Sequence, residues 1–100
     1  MSEYYDRQGK PMGLMEWAEA FEGERHIGNT KLEDGKWIST VWLGLNRNHG
    51  GGPPLIFETA VFGPDEDELD CERYATEKEA IDGHRRMVEK WTVLREADHE

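Results

Sequence analysis

Along the first third of the chain the apolar residues recur at helical spacing. Leu14, Trp17, Ala18 and Phe21 fall at i, i+3, i+4 and i+7, which predicts a short amphipathic helix ended near Gly23. The period then changes to two. Arg25 to Leu32 reads as a strand, and Asp34-Gly35 behind it is a two-residue hairpin signal of type I′. In Lys36 to Leu45, Trp37, Ser39, Val41, Leu43 and Leu45 share one side, and Ile38, Thr40, Trp42 and Gly44 the other. Both sides carry apolar groups, which places this strand in the interior of a sheet. Leu55 to Phe62 is its partner, ended by Gly63-Pro64.

The acidic stretch Asp65 to Glu72 reads as exposed loop, with Arg73 and Tyr74 as a short edge strand. Thr76-Glu-Lys-Glu79 is a capping box that opens a second helix. Ala80, Ile81, His84, Met87, Val88, Trp91 and Leu94 give that helix one apolar face. The fold class expected is α+β: a short helix, an antiparallel meander of three to four strands, and a C-terminal helix packed on the sheet. Residues 1–100 form one small domain, with fraying expected at about 1–3 and 96–100.

Composition changes the picture in three ways. The formal net charge is −10, so the chain repels nucleic-acid phosphates at long range and no direct nucleic-acid partner is expected. Cys71 is the only cysteine, which rules out an intrachain disulfide and a cysteine zinc cluster. There is no apolar run of about 20 residues and no basic, apolar leader in MSEYYDRQGK. A cytoplasmic protein without membrane attachment is expected.

The candidate chemistry lies first in the loop between the two long strands, NRNHGGGPP. Gly50, Gly51 and Gly52 allow close backbone approach to a ligand, and Asn48 lies beside them. Arg47 adds a fork of donors for phosphate or carboxylate, and His49 titrates near neutrality. The loop lacks the order of known phosphate-binding loops, and Pro53-Pro54 offer no amide. It is therefore either an anion site or a plain hairpin connector. Gly83-His84 is the second place of interest, with His84 either a packed core residue or a ligand group.

No histidine pair or acidic loop has metal-ligand spacing, so no metal and no cofactor are expected. Cys71 sits among carboxylates that blunt a thiol, and no nucleophile motif is present, so no enzyme is expected. Four tryptophans exceed what one small core needs. If the central strand is covered on one face only, either Trp37 or Trp42 is left outside as a stacking or association surface.

The segments STVWLGL, GGGPPLIFETAVFG, CERYAT and the Gly83-His84 pair resemble a group of small uncharacterised proteins of actinobacterial phages and related bacterial genomes. The likeness runs from about Tyr4 to Trp91. It implies a small accessory protein acting inside an infected cell, and brings no ligand or catalytic residue with it.

Two binding functions follow. In the first, a homo-oligomer sequesters an anionic small molecule such as a nucleotide signal, using Arg47, Asn48, His49, Gly50, Gly51, Gly52, Trp42, Arg73 and His84. In the second, an acidic protein mimics nucleic acid and blocks a basic host protein through Asp65, Glu66, Asp67, Glu68 and Asp70. A virion or assembly component is a third reading.

Overall fold

The computed structural model describes residues 3–46, 48 and 50–98, with side chains as far as Thr92. Arg47 and His49 lie outside the described residues. The elements are β1 (Tyr4–Tyr5), β2 (Pro11–Met12), α1 (Leu14–Glu22), β3 (His26–Lys31), β4 (Trp37–Trp42), β5 (Phe57–Phe62), β6 (Glu68–Tyr74) and α2 (Glu77–Asp98). Strands β3 to β6 form one antiparallel meander in chain order, and α2 packs against all four. This is the expected α+β architecture, in its four-stranded form.

Several expectations change in detail. Asp34-Gly35 does not make a type I′ turn, because Gly35 is at φ 96 whereas Asp34 is not at positive φ. The turn is one residue longer: Leu32 N–H donates to Lys36 O, and Gly35 N–H to Leu32 O. Strand β4 stops at Trp42 because the chain kinks at Gly44, φ 71, where any Cβ would meet Trp17 and Trp42. Strand β6 is seven residues rather than two. Its alternation is hidden by carboxylates on the helix side, where Lys90 meets Asp70 at 2.7 Å and Arg86 meets Glu72 at 3.1 Å. Helix α2 runs from Glu77 to Asp98.

The register sorts the sheet into two faces. Ile38, Thr40 and Trp42 of β4, and Phe57, Thr59 and Val61 of β5, point toward α2 and are fully buried. Trp42, Ile56, Phe57, Tyr74 and Ala80 make one core cluster, joined by Tyr5, Met12, Trp17, Phe21 and Ile27. Ile38, Val61 and Met87 make a second, joined by Leu32, Val88 and Trp91. Of the expected apolar stripe on α1, only Trp17 and Phe21 pack; Leu14 is exposed. Ile81 of α2 is likewise exposed. The capping box forms as expected, with Glu79 N–H donating to Thr76 Oγ1 and Thr76 N–H to Glu79 Oε1.

Both helices and the N-terminal hairpin gather on the Trp42 side of the sheet. The opposite face carries Asn29, Trp37, Ser39, Val41, Glu58, Ala60, Phe62, Cys71 and Arg73, and no helix among the described residues packs on it.

Candidate functional site

The helix-side face holds a polar seam within an apolar core. Gly28, Thr40, Thr59 and Glu72 pair across all four strands. His84 of α2 rests on this row. Its Nδ1 lies 2.8 Å from Thr40 Oγ1 and its Nε2 lies 2.9 Å from Thr30 Oγ1. Thr40 Oγ1 in turn lies 2.5 Å from Thr59 Oγ1. A neutral imidazole donates from one nitrogen and accepts at the other, so two hydroxyls satisfy it fully. Burial pushes the His84 pKa down, which keeps the ring neutral.

Glycine makes this seam possible at two points. A Cβ on Gly28 would stand 2.9 Å from the His84 ring, and one on Gly83 would stand 2.1 Å from the Tyr74 hydroxyl. That hydroxyl is buried with the Thr59 and Glu72 side chains within its reach, though neither makes a well-formed hydrogen bond to it. Burial pushes the Tyr74 pKa up to about 12. His84 is therefore a satisfied, half-buried histidine that ties α2 to β3 and β4.

The remaining candidates for anion binding do not converge with it. Trp42 is 2 % exposed, and its Nε1 donates to Tyr5 O at 3.2 Å, so it is no stacking platform. Arg73 lies on the other face of the sheet, where its Nε donates to Glu58 at 3.0 Å. In the glycine loop, Asn46 Oδ1 accepts from the Asn48 and Leu55 amides. Asn48 Oδ1 accepts from Gly50 N–H, and its Nδ2 donates to Pro53 O. Gly51 and Gly52 stand at φ 87 and 88. These side chains tie the described part of the loop to itself.

The open face is different in kind. Trp37 and Phe62 lie side by side with ring centroids 5.2 Å apart, and the Trp37 indole N–H is held by Asn29. Leu69, beside a bulge in β6, is 38 % exposed. Glu58, Glu68 and Cys71 bring three potential ligand atoms within 4.8 Å of one another, but Glu58 is engaged by Arg73. Burial first, and the Glu58 charge second, push the Cys71 thiol pKa up, so it is a poor nucleophile.

At the turn end of the same face, Asp65, Glu66 and Asp67 project from the β5–β6 hairpin and Glu68 begins β6, all exposed. Asp70 does not join them. It turns to the helix side and accepts from Lys90, Cys71 N–H and Trp91 Nε1, and the Lys90 bond holds its carboxyl below the ordinary carboxylate range. The exposed acidic run is thus Asp65 to Glu68, without Asp70.

Between the β3–β4 and β5–β6 turns lies a cleft of about 280 Å³, lined by Trp37, Phe62, Gly35, Pro64, Lys31 and Glu66. No sequence signal announced it, because it needs two turns 30 residues apart to touch. No helix among the described residues is long and apolar enough to cross a membrane. Comparison with protein-family models, curated proteins and solved structures finds no match to this chain.

Proposed function

We propose that this chain is a non-enzymatic binding protein that occupies a basic surface of a partner protein, using the open face of its sheet and the acidic β5–β6 hairpin. The observation that carries this reading is the asymmetry of the sheet. One face is filled by α1, α2 and the N-terminal hairpin, while the other leaves Trp37, Val41 and Phe62 half-buried with no helix among the described residues packed on them. An apolar strip of this kind, rimmed by carboxylates, suits a partner with an apolar centre and basic surroundings.

A second copy is a weaker fit, because each chain carries a net charge of −10 and like charges would meet. In the setting implied by the sequence resemblance, the partner is a host protein met inside an infected cell. The small-anion reading draws no support from this geometry, since its described groups are divided among the loop, the open face and the helix side of the sheet.

The test is capture from the producing cell with tagged wild type, Trp37→Ser, Val41→Lys and an Asp65→Lys/Asp67→Lys double variant. A basic protein held by wild type, weakened by each substitution and released by salt, supports the reading. Equal capture by all four chains contradicts it.

A further inference from the structure

The two hairpin turns that wall the cleft are built alike. In the first, Leu32 N–H donates to Lys36 O at 2.8 Å and Gly35 N–H to Leu32 O at 3.1 Å. In the second, Gly63 N–H donates to Asp67 O at 2.8 Å and Glu66 N–H to Gly63 O at 2.9 Å. Each turn needs a left-handed residue at its fourth position. The first uses Gly35, φ 96; the second uses Glu66, φ 69. Among the described residues Glu66 is the only non-glycine at positive φ.

A side chain in that conformation costs about 1 kcal/mol that glycine avoids. The strain places a carboxylate in the lining of the aromatic cleft. No ion pair or side-chain hydrogen bond engages that carboxylate among the described residues. An exposed outlier of this sort points to a use outside the fold.

We infer that the cleft is a slot for one arginine side chain of the partner, whose guanidinium lies over Trp37 and Phe62 and donates to Glu66. The inference rests on the docking reading above and names its anchor. A planar cation stacks on an aromatic face while its edge donors reach a carboxylate, and only arginine does both well. At about 280 Å³ the cleft has room for a single long side chain. Asp65, Asp67 and Glu68, the chain neighbours of Glu66, are exposed and carry the same sign of charge. Lys31 also lines the cleft, and its charge opposes a cationic occupant.

The experiment is a titration of the ¹⁵N-labelled protein with the blocked tripeptide Ac-Leu-Arg-Leu-amide, reading the Trp37 indole N–H. Its neutral counterpart replaces arginine by citrulline, which keeps the shape and removes the charge. The arginine peptide should shift Trp37 and leave the buried Trp42 indole unmoved. The citrulline peptide, and the Glu66→Gln variant, should bind about tenfold more weakly. Lys31→Glu should bind more tightly. Equal shifts with both peptides, or a Trp37 signal that does not move, would overturn the slot. If Trp37 stays still while capture through Val41 and Asp65 persists, the slot alone fails. If capture is lost as well, the docking reading fails with it.

Discussion

Gly83 of α2 lies so close to Tyr74 of β6 that a methyl group on it would stand 2.1 Å from the phenolic oxygen. Glycine inside a helix ordinarily costs about 1 kcal/mol relative to alanine. Here the sign reverses, because the added carbon also meets the ring itself, with Cζ at 2.2 Å. Gly83→Ala should destabilise the protein by about 1–3 kcal/mol, the usual range for overpacking. Urea unfolding reads this directly. A more stable variant would show that α2 does not sit where described.

Tyr74→Phe has the opposite expectation. It deletes a buried hydroxyl that makes no well-formed hydrogen bond among the described residues, with Thr59 and Glu72 its nearest polar neighbours. Removing an unsatisfied polar group is near neutral or stabilising, so the change should lie within about 0.5 kcal/mol of wild type or above it. A loss beyond about 1.5 kcal/mol would mean that the hydroxyl is bonded after all.

The pH dependence follows from His84. Burial depresses its folded pKa below the ordinary value. As pH falls through about 6.5, the unfolded chain takes up a proton that the folded chain refuses, so stability falls. The fall from this group ends below its folded pKa. Asp70 acts in a lower window: its stability is present above the ordinary carboxylate value and is lost as pH drops through the depressed one. Urea midpoints at pH 7.5 and 5 should therefore differ in wild type, and His84→Gln should flatten the difference. An unchanged slope in the variant would remove His84 as the cause.

Glu66→Gly should raise stability by about 0.5–1 kcal/mol, because glycine adopts φ 69 without strain but loses more entropy on folding. The same substitution should weaken partner binding. Stability and binding moving together would break the link between the strained turn and its use.

The two tryptophans of β4 should behave unlike each other. Trp42 is in the core, and Trp42→Ala should cost about 3–5 kcal/mol, much of what a chain of this size has. Trp37→Ser lies on the open face and should cost no more than about 1.5 kcal/mol, leaving a folded protein for binding tests. Thermal melts of both variants decide the matter.

Much of this fold was legible from periodicity. Alternation in β4 and β5 gave the centre of the sheet, and the Thr76-to-Glu79 box gave the start of α2. Strand β6 was hidden because Asp70 and Glu72 occupy its inward positions, and a carboxylate facing a helix is indistinguishable in sequence from one facing water. Only Lys90 and Arg86, a helix away, make those positions tolerable. The alternation in β4 showed that one tryptophan faces each way, but not which side α2 would cover. That choice is made by long-range partners: Phe57 and Tyr74 beside Trp42, and Trp17 and Phe21 beneath it. The cleft was illegible for the same reason, since Gly35 and Pro64 meet only once four strands are in register.

The central claim is that the open sheet face is occupied by a different protein in the cell. Site-specific photocrosslinking tests it most directly, with a benzophenone amino acid at position 41 on the open face and, as control, at position 85 on α2. The account predicts one discrete heterologous adduct with a basic protein from position 41 and none from position 85. No adduct from position 41, or an adduct of twice the mass of the chain, would contradict it.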